Sequence, residues 1–199
     1  EPLMVEIMAN GLARRTLVAL VENKPGVLAR IASLFRRRGI NIASLAVGAS
    51  EQQDLSRMTF VAEGDPSTVG HIAKHLDKLI EVVDVSDISD QNVVWRELAM
   101  VRVKATPDSR PRVIQLANIF RVSIVDVGAE AVTMEITGDT EKIDSMITLM
   151  QEFGVEQVMR TGRVAMLRSA LSQGGEDGAY SEQQISNIVA RAGLDSGSV

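Results

Sequence analysis

The 199-residue chain contains no cysteine. That excludes a disulfide framework, a thiolate nucleophile and cysteine metal ligands, and it suits a cytoplasmic protein. Aromatic residues make up only 3% of the chain, so any core must be built from Val, Ile, Leu, Ala and the nine Met. No apolar run approaches the ~18 residues that a membrane-spanning helix needs. Basic charge is in deficit: a formal net charge of −5 argues against nucleic acid as the main partner, because phosphate binding wants a basic face. The first fifteen residues lack the long apolar stretch of a signal peptide and read as a flexible leader over 1–15.

The rest is ordinary globular material, 45% apolar and 24% charged, in a length that holds one large domain or two small ones. A strand is predicted at about 16–22 and a helix at 27–38, where Val27, Leu28, Ile31, Leu34 and Phe35 repeat with helical spacing. Strands follow at 41–47 and 57–62. Gly64-Asp65-Pro66 then opens a second helix, with Asp65 as N-cap and Pro66 at N1. Its apolar face takes in Val69, Ile72, Ala73, Leu76, Leu79 and Ile80. A strand at 82–86 completes the order βαββαβ.

The second half repeats that order. A strand at 99–104 leads to a helix marked by Val113, Ile114, Leu116, Ala117 and Phe120. Strands at 122–127 and 132–137 meet near Gly128-Ala129, Gly138-Asp139 opens another helix, and 155–159 with 164–167 supply closing strand material. Two βαββαβ units imply an α+β protein of two ferredoxin-like domains, each an antiparallel sheet with helices on one face. The domains are expected over 16–89 and 93–168, with the junction near Ser89-Asp90-Gln91-Asn92. Beyond Ser169 the composition turns to Gly, Ser, Asp and Gln. A polar tail over 169–199 is expected, with one short amphipathic helix behind the capping-box spacing of Ser181-Glu182-Gln183-Gln184.

Most enzyme readings fail. His71 and His75 are the only histidines, four apart as two zinc ligands would be, but no third ligand and no HExxH accompany them. There is no G-x-S-x-G, no P-loop and no G-x-G-x-x-G after a strand. Arg36-Arg37-Arg38 closes the first helix, where cations favour the dipole's negative end. Recognition of RNA on this fold needs exposed strand aromatics, and Phe60 stands alone on its strand as a core residue. An acylphosphatase-like activity needs an arginine in the first strand–helix loop, and 22–26 holds none.

The stretch "ENKPGVL" over 22–28 carries the strand into the helix. Pro25 suits a first helical turn, and Gly26 lets another group approach the backbone closely. The N–H groups of Gly26, Val27 and Leu28 gather at the positive end of the helix dipole, a ready carboxylate site. Asn23 and Asn41 are two-way polar groups, the second beside apolar Ile40 and Ile42. Together they suit an amino acid: N–H donors for its carboxylate, amide oxygens for its ammonium, an aliphatic wall for its side chain. Spacing alone leaves open, and slightly favours, a plain structural turn with Asn23 as a cap.

The flanking sequence is more specific. "LVENKPGVLARIASLFRRRGINIASLAVGASEQQDLSRMTF" resembles the ACT domain of the small, regulatory subunit of acetolactate synthase (acetohydroxyacid synthase), above all in "RRGINIASLAVG" and "LSRMTF". "IFRVSIVDVGAEAVTMEITGD" and "RTGRVAM" resemble that family's C-terminal domain, so the likeness runs from about Thr16 to Arg168. The resemblance implies a non-catalytic subunit that binds and activates the large catalytic subunit and confers feedback inhibition by branched-chain amino acids, chiefly valine. The large subunit carries thiamine diphosphate, magnesium and FAD; this chain has no motif for any of them. The resemblance also implies a homodimer of ACT domains paired side by side. The effector then lies between the loop after the first strand of one chain and the second strand of its mate. The family's valine-contacting positions fall on Asn23, Gly26 and Asn41. Val27, Leu28 and Ile42 are expected to complete the site. The second unit's equivalent loop, Thr106-Pro107-Asp108-Ser109, lacks the Pro-Gly pair, and no second effector site is expected there. The alternative class is a free-standing ACT-type amino-acid sensor that acts on some other protein.

Overall fold

The computed structural model describes residues 6–7, as backbone, and 11–168. The helix expected within 169–199 lies outside the described residues. The chain divides into two compact units; the second spans Trp95–Val164 and the first takes the residues on either side.

The first unit runs β1 (Glu6–Ile7), β2 (Ala13–Glu22), α1 (Val27–Arg37), β3 (Asn41–Ala49), β4 (Leu55–Gly64), α2 (Pro66–Val69), α3 (Ile72–Leu76) and β5 (Val82–Asp87). Its strands pair antiparallel in the order β5-β2-β4-β3, with β1 beside the start of β2. Residues of β2 alternate across the sheet. Ala13, Leu17, Ala19 and Val21 face the core with Met58, Phe60 and Ala62 of β4. From α1, Val27, Ile31, Leu34 and Phe35 enter the same core, and the Phe35 ring stacks on Phe60 at 5.5 Å between centroids. A buried Phe of this kind contributes about 1.5–3 kcal/mol by burial.

Three expectations need correction. The first strand starts at Ala13, so 13–15 belong to the sheet rather than to a leader. Arg15 sits between Ala13 and Leu17 on the core face, only 1% exposed, and its charge hid the strand's alternation from the sequence. The single helix expected after Asp65 is two short ones, α2 and α3, broken at Gly70-His71. Asp65 does cap α2, accepting from the N–H groups of Ser67 and Thr68. Those bonds, led by the Ser67 hydroxyl, hold its carboxyl below the usual carboxylate range. Ile80, assigned to the inner face, is 88% exposed because the helical spacing ends before it, at Leu76. Hydrogen bonds tie 88–90 to β2, and the units divide at Val94/Trp95, just beyond the 89–92 segment.

The second unit, whose first and last strands extend past its bounds, is built from β6 (Val93–Lys104), α4 (Arg110–Ile119), β7 (Ser123–Val127), β8 (Ala131–Gly138), α5 (Thr140–Met150), a 3-10 turn at Gln151–Phe153, β9 (Val155–Arg160) and β10 (Val164–Leu167). Its sheet has the matching order β9-β6-β8-β7, with β10 also beside β6. The ladders of the two units slip at equivalent points. β3 shifts register between Ile42 and Ser44 and β7 between Ile124 and Asp126. β2 shifts between Leu20 and Val21 and β6 between Arg102 and Val103. The architecture is therefore two ferredoxin-like domains, and the second repeats the irregularities of the first.

The helix ends repeat as well. Beyond α1, Gly39 has φ 65°, its N–H donates to the Arg36 carbonyl, and the Ile40 N–H reaches Phe35 at 3.0 Å. This pair of bonds is the Schellman closure. Beyond α4 the same closure forms with Arg121 at φ 54°, where a side chain is disfavoured. Replacing Arg121 by Gly should raise stability by about 1 kcal/mol in chemical denaturation, with no change in the slope of the transition.

Candidate functional site

The strand–helix loop over 23–26 projects from one end of the first sheet. Its position is fixed from below: the Asn23 N–H donates to the Asp54 carbonyl at 2.8 Å, and the Glu22 N–H to the Glu81 carbonyl at 2.9 Å. Gly26 caps α1 in the left-handed region, φ 89°, and a Cβ built there meets nothing within 4 Å. The backbone approach that Gly26 leaves open is real space. At the helix start the Val27 N–H makes a long bond to the Lys24 carbonyl, 3.4 Å. Among the described residues no acceptor meets the N–H groups of Gly26 and Leu28, so two of the three expected donors are free. No acidic residue stands in the first turn of α1 to compete for that positive end.

The expected side chains divide by role. Val27 is buried in the core, so it offers only its backbone. Leu28 is 43% exposed at the mouth of the loop. The Asn23 side chain is exposed and makes no hydrogen bond among the described residues, while Lys24 turns away to Glu22 at 3.0 Å. Asn41 opens β3, exposed, its amide nitrogen 3.5 Å from Glu63. Ile42 is half-buried against the core.

Strand direction separates these groups. Glu22 pairs with Leu55 and Asn41 with Glu63, at opposite ends of β4. Eight residues of strand put Asn23 and Asn41 roughly 25 Å apart within one chain, at ~3.3 Å per residue. Between them β3 presents an edge with no neighbour among the described strands other than β4. That edge reads "NIASLAVGA", nine residues without charge or proline, with Val47 49% exposed. Long uncharged edges of this kind invite another strand.

The corresponding loop of the second unit is closed. Arg110, in the first turn of α4, donates to the carbonyls of Ala105 at 3.0 Å, Gly128 at 2.9 Å and Ala129. Its guanidinium bridges the loop and the hairpin at 128–129. The histidines do not converge: His71 Nδ1 lies 2.7 Å from the Ser67 carbonyl, and His75 Nδ1 lies 3.4 Å from the Arg38 guanidinium. Burial, with the positive charges of Arg38, Lys78 and His71, holds the His75 imidazole below its usual pKa. Among the described residues no three His, Asp or Glu side chains gather as a metal site, and no helix is long and apolar enough to cross a membrane.

Comparison with known proteins identifies the family of both units. Residues 17–84 match the AHAS small subunit-like ACT domain, and residues 96–169 match the small subunit of acetolactate synthase. The probable acetolactate synthase small subunit of Archaeoglobus fulgidus is 52% identical over 155 residues, covering 78% of this chain and 97% of that protein. The chain belongs to the acetolactate synthase small-subunit family. Among other members of the small-subunit family, the Mycolicibacterium smegmatis protein is 45% identical over 161 residues, 81% of this chain and 95% of that one. The crystal structure of the Thermotoga maritima acetolactate synthase small subunit superposes with a TM-score of 0.72 at 41% identity, covering 78% of this chain and 97% of that chain. The first unit is thus the ACT domain of a small-subunit family member, and the second is that family's own C-terminal domain. Neither Asn23 nor Asn41 is brought into contact with the other by this fold; sequence reasoning named both, and strand polarity alone reveals their separation.

Because no atom crowds Gly26, a substitution there acts through backbone conformation. Gly26→Ala should lower stability by about 1–2 kcal/mol in urea denaturation, the cost of a left-handed side chain, with unchanged secondary structure.

Proposed function

We propose that the chain is the regulatory subunit of acetolactate synthase, serving branched-chain amino-acid biosynthesis in the cytoplasm. It binds and activates the large catalytic subunit, which carries thiamine diphosphate, magnesium and FAD. It also confers feedback inhibition by valine held between two ACT domains. The observation that supports the reading is the division of the expected valine groups between opposite ends of an open edge strand.

Pairing two copies of β3 antiparallel about a two-fold axis near Leu45 sets Asn41 of one copy against Ala49 of the other. Ala49 lies at the end of the sheet that carries the 23–26 loop. The separation between loop-bearing β2 and the second copy's Asn41 then falls to about three strand spacings, ~14 Å, which the loop, the Asn41 side chain and an amino acid between them span. The free N–H groups of Gly26 and Leu28 receive the carboxylate at the helix's positive end. The amide oxygens of Asn23 and of the second copy's Asn41 receive the ammonium. Leu28 and the second copy's Ile42 supply the apolar wall. Two equivalent sites form per dimer, as a two-fold interface requires. Valine shifts the holoenzyme by favouring one of its states, with a coupling of about 1–3 kcal/mol.

Calorimetry with valine, and with alanine as control, tests the site on the isolated subunit. Asn41→Ala and Gly26→Asp should each abolish valine binding, the second by obstruction and by like-charge repulsion of the carboxylate. Each should leave activation of the large subunit intact. After the two variants exchange subunits, mixed dimers keep one site with both native groups, so about a quarter of the wild-type capacity should return. Unchanged valine inhibition in Asn41→Ala holoenzyme, or no recovery on mixing, would show that the site is wrong.

A further inference from the structure

The buried Arg15 has no part in the valine site, yet its position is unusual. It occupies a core-face place on β2 where a Leu or Met would continue the apolar stripe from Ala13 to Leu17. Its Nη1 pairs with Asp90 at 2.6 Å and lies 3.6 Å from Asp87. Among the described residues its buried Nε and Nη2 have no partner. A buried cation with two idle donors is a poor stabiliser, since desolvation offsets much of what the ion pair returns. In some proteins a buried polar group of this kind specifies geometry without adding stability.

The geometry it specifies is the exit of the chain from the ACT unit. The Ile88 N–H donates to the Thr16 carbonyl at 3.0 Å, and the Thr16 N–H donates to the Ser89 hydroxyl at 2.8 Å. Ser89 in turn bonds Asp87, its N–H at 3.1 Å and its hydroxyl at 2.5 Å. The Gln91 N–H reaches the Ile88 carbonyl at 3.2 Å, and its side chain the Asp87 carbonyl at 3.0 Å. Four successive residues, 87–90, are thereby pinned to the beginning of β2, and Gln91 is held to 87 and 88. The end of that same strand carries Asn23 and Gly26. Seven residues of stiff, doubly paired strand therefore run from Thr16, the pinning point, to Glu22, next to the valine loop.

We propose that Arg15, with Asp87 and Asp90, forms a latch that transmits the state of the valine loop to the segment by which the chain leaves the ACT unit. Arg15 is a positioning residue: it touches no effector. The idle Nε and Nη2 allow the guanidinium to re-pair with Asp87 when β2 shifts, giving the latch two arrangements. This role rests on the reading of the chain as a valine-responsive subunit.

The test uses holoenzyme reconstituted from the full chain and the catalytic subunit. Arg15→Met fills the core position with an apolar chain of similar length, and Asp90→Asn removes the pairing charge from the exposed side. Both variants should bind valine in calorimetry within about twofold of wild type and should still activate the catalytic subunit. The valine concentration for half-inhibition should rise about tenfold or more, or inhibition should vanish. The thermal midpoint of Arg15→Met should be equal to wild type or higher, an outcome that a purely stabilising ion pair would not give. Valine inhibition unchanged in both variants would overturn the latch, and so would valine affinity lost in parallel with inhibition. A wild-type chain that binds no valine would instead overturn the reading beneath it.

Discussion

Ten consecutive pairings between β2 and β4, from Ala13 with Gly64 to Glu22 with Leu55, hold the first unit together. β2 is also paired on its other side with β5, so β2 and β4 are the interior strands of this sheet. Everything of interest in the ACT domain is placed by this ladder. It fixes the face on which Leu17, Ala19 and Val21 meet the helices, the end from which the loop projects, and the end at which Arg15 is buried. It also fixes β3 as the outer strand, because β4 has only one edge left to give.

Much of this was legible in the sequence because the local signals agree with the tertiary fold. Val27, Ile31, Leu34 and Phe35 mark a helix, Asp65 marks a cap, and all behave as their spacing says. The failures have physical causes. Arg14 and Arg15 read as leader because two cations interrupt the apolar alternation; only the carboxylates of Asp87 and Asp90, far along the chain, make the burial of Arg15 tolerable. The break between α2 and α3 was hidden because Val69, Ile72 and Leu76 keep helical spacing across it. For the candidate site, residue types were legible and their arrangement was not. The direction of each strand, rather than any motif, decides that Asn23 and Asn41 cannot meet within one copy.

The two units differ most instructively where they are most alike. Pro25 and Pro107 stand at equivalent places, as do Gly39 and Arg121, yet the second loop is tied to its hairpin by Arg110. The arginine supplies donors to three carbonyls from Nη2, and its Nε is buried with no partner among the described residues. In the first unit the same region keeps unspent N–H groups beside a glycine with no neighbour at its missing Cβ. One architecture thus serves a loop bridged to its hairpin by a side chain and one that is not.

The edge of β3, which pairs only with β4 among the described strands, has a thermodynamic corollary. When the groups that hold a small molecule are shared between two copies, binding and self-association become a single linked equilibrium. The ligand then drives the copies together, and dilution of the protein weakens its apparent grip on the ligand. How sharply such a subunit responds depends on how much of it the cell makes, and expression level becomes a setting of the sensor alongside the chemistry of its pocket.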